Sequence, residues 1–238
     1  MNDVGYLGDF RARGEAIADA CTRCGDCFRA CPMTEPAGIA AADPEAAAAG
    51  IVDLITGGAG NAEAVRWANV CSGSGYCIPA CRHGINPRFM VQLARGFERA
   101  QQGDAPLRAR WRQGFRTMSR GVRTLSRLQL PPETLARFAP SAAMRQRPPD
   151  VVFYTGCNIV KTPHIALLCL DVLDLLDVDY EVMGGPGQCC GVYQFREGDF
   201  DSNSKVAYAT IDGLAAAGSA TVLSWCPSCQ LALGEVSL

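Results

Sequence analysis

The chain has 238 residues, 48% of them apolar, with a formal net charge of −2. That length suits one large domain or two ordinary ones, and the near-balanced charge gives no general attraction to nucleic acid. Thirteen cysteines stand behind the opening "MNDVGYLGDF", which has no basic n-region and no apolar h-region, so a secreted disulfide scaffold is disfavoured. No run reaches the length a membrane-spanning helix needs, since "IALLCLDVLDLL" is broken by Asp171 and Asp174. The expectation is a cytoplasmic protein whose reduced thiols bind metal.

Residues 1–98 alternate helical patterns with cysteine loops. "DFRARGEAIADA" leads into the first cysteine group, and "DPEAAAAGIVDLI" opens with Asp43 as N-cap and Pro44 at the first helical position. "NAEAVRWANV", capped by Asn61, leads into the second group, and "NPRFMVQLARGFERA" follows it with the same cap-then-proline signal at Asn86 and Pro87. This region is predicted all-helical. Residues 99–149 form an arginine-rich connector carrying Arg108, Arg110, Arg112, Arg116, Arg120, Arg123 and Arg127. Trp111, Phe115, Met118, Val122 and Leu125 lie between them at helical spacing. Such a helix packs its apolar stripe on its own protein with the arginines in solvent, or offers a docking face to an acidic partner or an anionic membrane surface.

From Asp150 the pattern changes. "DVVFYTGC" reads as a strand, "TPHIALLCLDVLDLL" as a helix capped by Thr162 with Pro163 first, and "DYEVM" as a second strand. "DSNSKVAYATIDGLAAAG" is a helix stopped by Gly218, and "ATVLSW" a third strand. Strand, helix, strand, helix, strand predicts an α/β domain with a parallel sheet over 150–238. Its cysteines fall at strand ends, where open α/β sheets place ligands. The whole chain is thus expected to be a multidomain α+β protein.

"CTRCGDCFRACP" places Cys21, Cys24, Cys27 and Cys31 before Pro32, the C-x2-C-x2-C-x3-C-P run of bacterial ferredoxins. Zinc prefers two separated pairs to four crowded cysteines. In this run the fourth cysteine ligates the other of two clusters. "CSGSGYCIPAC" carries Cys71, Cys77 and Cys81, with Ser74 where another cysteine would stand. The crossing rule gives one [4Fe-4S] cluster on Cys21, Cys24, Cys27 and Cys81. It gives a second site on Cys31, Cys71 and Cys77 with Ser74 in the vacant position. That site suits a [3Fe-4S] cluster, or a labile or oxygen-ligated four-iron cluster. A third group comprises Cys157, Cys189, Cys190, Cys226 and Cys229. Five thiolates exceed what a simple cube needs; a zinc site, or a cube using four of the five, is the alternative.

"CSGSGYCIPACRHGINP" resembles the C-x5-C-x3-C segment of the iron–sulfur subunits of succinate dehydrogenase and fumarate reductase. Together with the upstream run, the likeness spans roughly residues 10–98. It implies an alpha-helical ferredoxin module with a three-iron cluster beside a quinone site. Arg82 departs from it, standing where that family usually has proline, and the preceding two-iron domain is missing. The third group resembles the CCG domain of heterodisulfide reductase subunits. It is also similar to related iron–sulfur oxidoreductases, among them the glycerol-3-phosphate dehydrogenase C subunit and lactate-utilisation proteins. That likeness implies a second [4Fe-4S] cluster, cubane or noncubane, on the five cysteines. Those relatives carry two CCG motifs and this chain carries one. A homodimer or a partner would then supply the other, or the chain is a truncated piece.

Few other residues ask for a function. Cys169, on an apolar helical face, is expected to be a buried small hydrophobe. His83 either tunes a cluster by hydrogen bonding or is a solvated loop residue, and His164 needs no special role. "GGPG" at 184–187 lacks the context of a dinucleotide fingerprint and is expected to let backbone approach the Cys189–Cys190 pair. With two histidines in the chain, acid–base catalysis by side chains is disfavoured. The leading expectation is an electron-transfer subunit. It would take electrons from a flavin-containing dehydrogenase or electron-transfer flavoprotein and pass them through the three clusters to a quinone or other carrier. It would work in the cytoplasm or at the inner face of the membrane. The alternative is a heterodisulfide-reductase-like enzyme reducing a disulfide at the CCG cluster, and a non-redox zinc scaffold comes third.

Overall fold

The computed structural model describes residues 4–103, 105–139, 145–157, 159–185 and 187–236. In chain order its helices and strands are α1 (Val4–Ala20), α2 (Asp26–Arg29), α3 (Pro44–Ile55), α4 (Ala62–Val70), α5 (Pro87–Gln101), α6 (Ala105–Gln129), α7 (Pro132–Ala136), β1 (Val151–Tyr154), α8 (Pro163–Leu175), β2 (Tyr180–Met183), α9 (Val192–Arg196), α10 (Phe200–Ala216), β3 (Val222–Ser224) and α11 (Pro227–Val236). None of the described helices is long and apolar enough to cross a membrane. Two compact units emerge: Met1–Ala105 with Tyr193–Asp201, and Pro106–Val192 with Ser202–Leu238.

Local capping chemistry sets the helices of the first unit. The Asp43 carboxylate accepts from the Glu45 amide at 2.9 Å, Asn61 Oδ1 from the Ala64 amide at 2.8 Å, and Asn86 Oδ1 from the Phe89 amide at 3.1 Å. Each bond satisfies a donor that the first helical turn leaves without a partner. Helix α3 packs on α1, α2, α4 and α5, and Ile51, Leu54, Met90 and Leu93 are buried between them. At Gly50 a Cβ would meet the Ala64 Cβ at 2.7 Å, so α3 and α4 lie closer than any side chain there would allow. The segment Tyr193–Asp201 completes this core. Phe195 and Phe200 lie 5.1 and 6.0 Å, ring centre to ring centre, from Phe10, and Phe200 lies 5.5 Å from Phe97. Glu197 pairs with Arg95 at 3.3 Å.

The second unit holds a three-stranded sheet in the order β2-β1-β3. Both pairings are parallel, with Val151 opposite Tyr180 and Val152 opposite Val222. The predicted strand–helix order is therefore present. Central β1 is an unbroken apolar run because Val152 and Tyr154 face one core and Phe153 another. Phe153 packs with Leu170, Leu173 and Val182; Cys169 borders that core as a small hydrophobe but is half-buried rather than buried as expected. Thr162 departs from expectation. It precedes α8, but at ψ 56° its side chain makes no capping bond. A short 3-10 turn over Ile159–Lys161 brings the backbone in too tightly to aim the hydroxyl, and the Thr162 carbonyl accepts from Ile165 instead, at 3.2 Å.

Helix α6 is continuous over its whole arginine-rich length. Val122 and Ser126 are buried on one side, while Trp111, Leu125 and Leu128 remain 48, 54 and 77% exposed. The apolar stripe read from the sequence is thus only partly covered. Arg110, Arg112, Arg116, Arg120, Arg123 and Arg127 are exposed; the Arg108 side chain lies outside the described residues.

Candidate metal centres

The first cysteine run wraps a single turn. Cys21 closes α1 through a 2.9 Å amide bond to Ile17. Arg23 and Gly25 then take left-handed backbone conformations, which turn the chain sharply enough for Cys24 and Cys27 to follow at once. Cys27 lies among Cys21, Cys24 and Cys77; burial, with Cys21 and Cys77 adding to it, pushes its thiol up to about 12. Cys31 does not stay with this run. With Cys71 and Cys77 it lines a small hollow, whose wall also holds Trp67, Ser74 and Arg88. Burial likewise raises the Cys71 thiol, opposed by the Arg196 and Arg88 charges, and pushes Cys77 up to about 11 with Cys71 and Cys31 contributing. In the other direction, the loop after Cys81 reaches the first run: His83 Nε2 and Thr22 Oγ1 are hydrogen-bonded at 3.0 Å, one residue from Cys21. His83 is an exposed loop residue, one of the two alternatives expected, and this bond ties its loop to the first cysteine run.

Two contributors to this site had no role in the sequence reading. Trp67, 1% exposed, donates its indole N–H to Cys31 Sγ at 3.2 Å. On the apolar face of α4 it reads as plain core, and only the need of a buried indole N–H for an acceptor hints at more. Arg196, five residues past Gly191, acts on Cys71. Nothing in its neighbouring sequence marks it.

The third group forms where the strands of the second unit end. Cys157 follows β1, the Cys189–Cys190 pair follows β2, and Cys226 and Cys229 follow β3 at the start of α11. Cys189, Cys190 and Cys229 are buried. Their backbone is pinned by side chains: Thr210 Oγ1 donates to the Cys189 carbonyl at 2.9 Å, Asn203 Nδ2 to the Gly191 carbonyl at 2.9 Å, and the Tyr154 hydroxyl to the Gln188 carbonyl at 2.8 Å. The five thiols lie close enough to shift one another's ionisation. Interaction with Cys157 and Cys190 lowers the pKa of Cys189, and interaction with Cys229 lowers that of Cys226. Cys157 is pushed up by Cys189, Cys190 by Cys189, and Cys229 by Cys190 and Cys226, each with burial adding to the rise. Of the "GGPG" turn, Pro186 lies outside the described residues; Gly184 donates its amide to Gln188 Oε1 at 2.7 Å, next to the cysteine pair.

Among the described residues, no three His, Cys, Asp or Glu side chains converge tightly enough to hold a single metal ion. The donor chemistry nevertheless fits a polynuclear iron–sulfur group. The donors are soft thiols, and crowding keeps several protonated, so a cationic core is what would let them ionise together.

A parallel sheet with a cluster of thiols at its strand ends makes this a cysteine-rich α/β domain. Residues 151–234 match the family model of the CCG cysteine-rich domain. No curated protein and no solved structure matches the chain. The matched domain, together with the other cysteine runs, suggests iron–sulfur binding and a redox role.

Proposed function

We propose that this chain is an iron–sulfur electron-transfer protein. It would receive electrons from a flavin-containing dehydrogenase or electron-transfer flavoprotein and pass them towards a quinone or another carrier. Cys21, Cys24, Cys27 and Cys81 would hold a [4Fe-4S] cluster, Cys31, Cys71 and Cys77 a [3Fe-4S] cluster, and the CCG cysteines a further [4Fe-4S] cluster. The observation that carries the reading is Cys31: it ends the first run in sequence yet stands with Cys71 and Cys77 around one hollow. A ferredoxin-type pair of clusters requires that exchange, whereas isolated zinc loops do not.

When bound, such clusters supply one-electron redox chemistry. The chain's own residues bind and orient them, exclude water and set the local charge. Ser74 lines the same hollow as Cys31, Cys71 and Cys77, a hydroxyl-bearing residue at the position of a fourth cysteine, which supports the three-iron assignment. The exposed arginines of α6 support docking to an acidic partner surface by charge complementarity. A second CCG unit, from another copy of the chain or from a partner, completes the proposal, which places the protein in the cytoplasm or at the inner membrane face.

The test is EPR spectroscopy of anaerobically purified protein, as isolated and after dithionite, with iron and sulfide measured on the same sample. An oxidised three-iron signal that disappears in Cys71→Ser supports the reading. Colourless protein carrying zinc instead of iron overturns it.

A further inference from the structure

We propose that Arg196 and Trp67 both set the reduction potential of the second cluster, Arg196 as a fixed charge beside the Cys71 loop and Trp67 as a hydrogen-bond donor to Cys31. The inference rests on the reading that Cys31, Cys71 and Cys77 hold a redox cluster.

Adding an electron to a thiolate-ligated cluster increases its negative charge. A positive charge or an N–H donor at the sulfurs therefore favours the reduced form and raises the potential. Trp67 supplies the donor at 3.2 Å. Its ring is held edge-on against Phe28, with centroids 5.0 Å apart, and burial strengthens the bond because water does not compete for it.

Arg196 supplies the charge. A Cβ placed on Gly73, between Cys71 and Ser74, would lie 3.9 Å from an Arg196 guanidinium nitrogen. The residues on either side anchor it. Phe195 is buried against Phe10, and Glu197 pairs with Arg95 through side chains only 12 and 17% exposed. The backbone is thus held on both sides of a half-buried cation, and its head is directed at the loop. Arg88, buried in the wall of the hollow, adds a second cation but sits inside the fold. Arg196 differs in its origin: its segment begins immediately after Cys189–Cys190–Gly191. The charge that acts on one candidate cluster is therefore delivered by the chain that leaves another.

The measurement is a mediated redox titration of the full iron-loaded chain, followed by EPR. The second-site signal is identified as the one lost in Cys71→Ser. Wild type is compared with Arg196→Gln, Arg196→Lys and Trp67→Phe. Arg196→Gln and Trp67→Phe each shift the reduced/oxidised ratio about three- to tenfold towards the oxidised form, tenfold being about 59 mV for one electron. Arg196→Lys restores most of the loss. The other signals do not move, which a merely structural defect would not reproduce. If Arg196→Gln retains the full signal at an unchanged potential, Arg196 has no such role and the proposal is overturned. If Trp67→Phe fails to take up iron at this site, Trp67→His, which keeps a ring N–H donor, recovers the signal; failure of both overturns the part assigned to Trp67. A wild-type protein with no signal dependent on Cys71 sinks the underlying cluster assignment instead, and that outcome is distinct from a loaded site at an unmoved potential.

Discussion

Gly156 stands so close to Cys229 that a Cβ on it would lie 3.0 Å from Cys229 Sγ, and its backbone is left-handed at φ +64°. Both constraints act at the C-terminal end of β1, one residue before Cys157. Gly156→Ala is expected to cost about 1–2 kcal/mol from backbone conformation alone and to push Cys229 out of register with its neighbours. Thermal denaturation reads the first effect. Iron per chain reads the second, with a selective loss from the CCG site while the ferredoxin signals persist.

Ser74→Cys restores a thiolate to the wall that already holds Cys31, Cys71 and Cys77. The variant is expected to bind about one more iron per chain and to exchange the three-iron EPR signal for that of a reducible cube. Iron analysis and EPR on one sample check both. An unchanged signal would mean that the hydroxyl does not define this site.

Phe195 follows the CCG cysteine pair in sequence but packs on Phe10 and Phe200 in the first unit. Phe195→Ala is expected to cost about 3–5 kcal/mol, the range for a buried aromatic cut to alanine. The loss should appear in the ferredoxin signals as well as in denaturant melts. A melt within 0.5 kcal/mol of wild type, roughly the effect of an ordinary surface substitution, would contradict the packing described.

Asn61 caps α4 at 2.8 Å and also donates Nδ2 to the Ala46 carbonyl at 2.8 Å. Asn61→Ala is expected to lose about 1–2 kcal/mol. Because α4 carries Trp67 and ends at Cys71, the same variant should broaden the second-site EPR signal. Asn61→Asp retains the cap and is expected to recover most of the stability.

Sequence legibility followed distance along the chain. The caps at Asp43, Asn61 and Asn86 were readable because they join residues two or three apart, and the parallel sheet because its short strands alternate with helices along the chain. Thr162 misled because capping depends on the backbone angle that the preceding 3-10 turn imposes, which the residue type does not encode. Trp67 and Phe195 were invisible as contributors to the second site and to the first unit's core. Both act across long loops, and α9 is too short to display a helical period. The arginine stripe of α6 was legible, but not how little of its apolar edge would be covered.

The first unit is closed by residues 193–201, and this fixes an order of events during synthesis. Both N-terminal cysteine runs leave the ribosome early, yet the aromatic core around Phe10 stays incomplete until Phe200 has emerged. By then Cys189 and Cys190 have been made as well. The N-terminal unit therefore cannot follow the usual course of folding first, and no single cut through the chain yields it whole. The two halves of this protein are committed to maturing together.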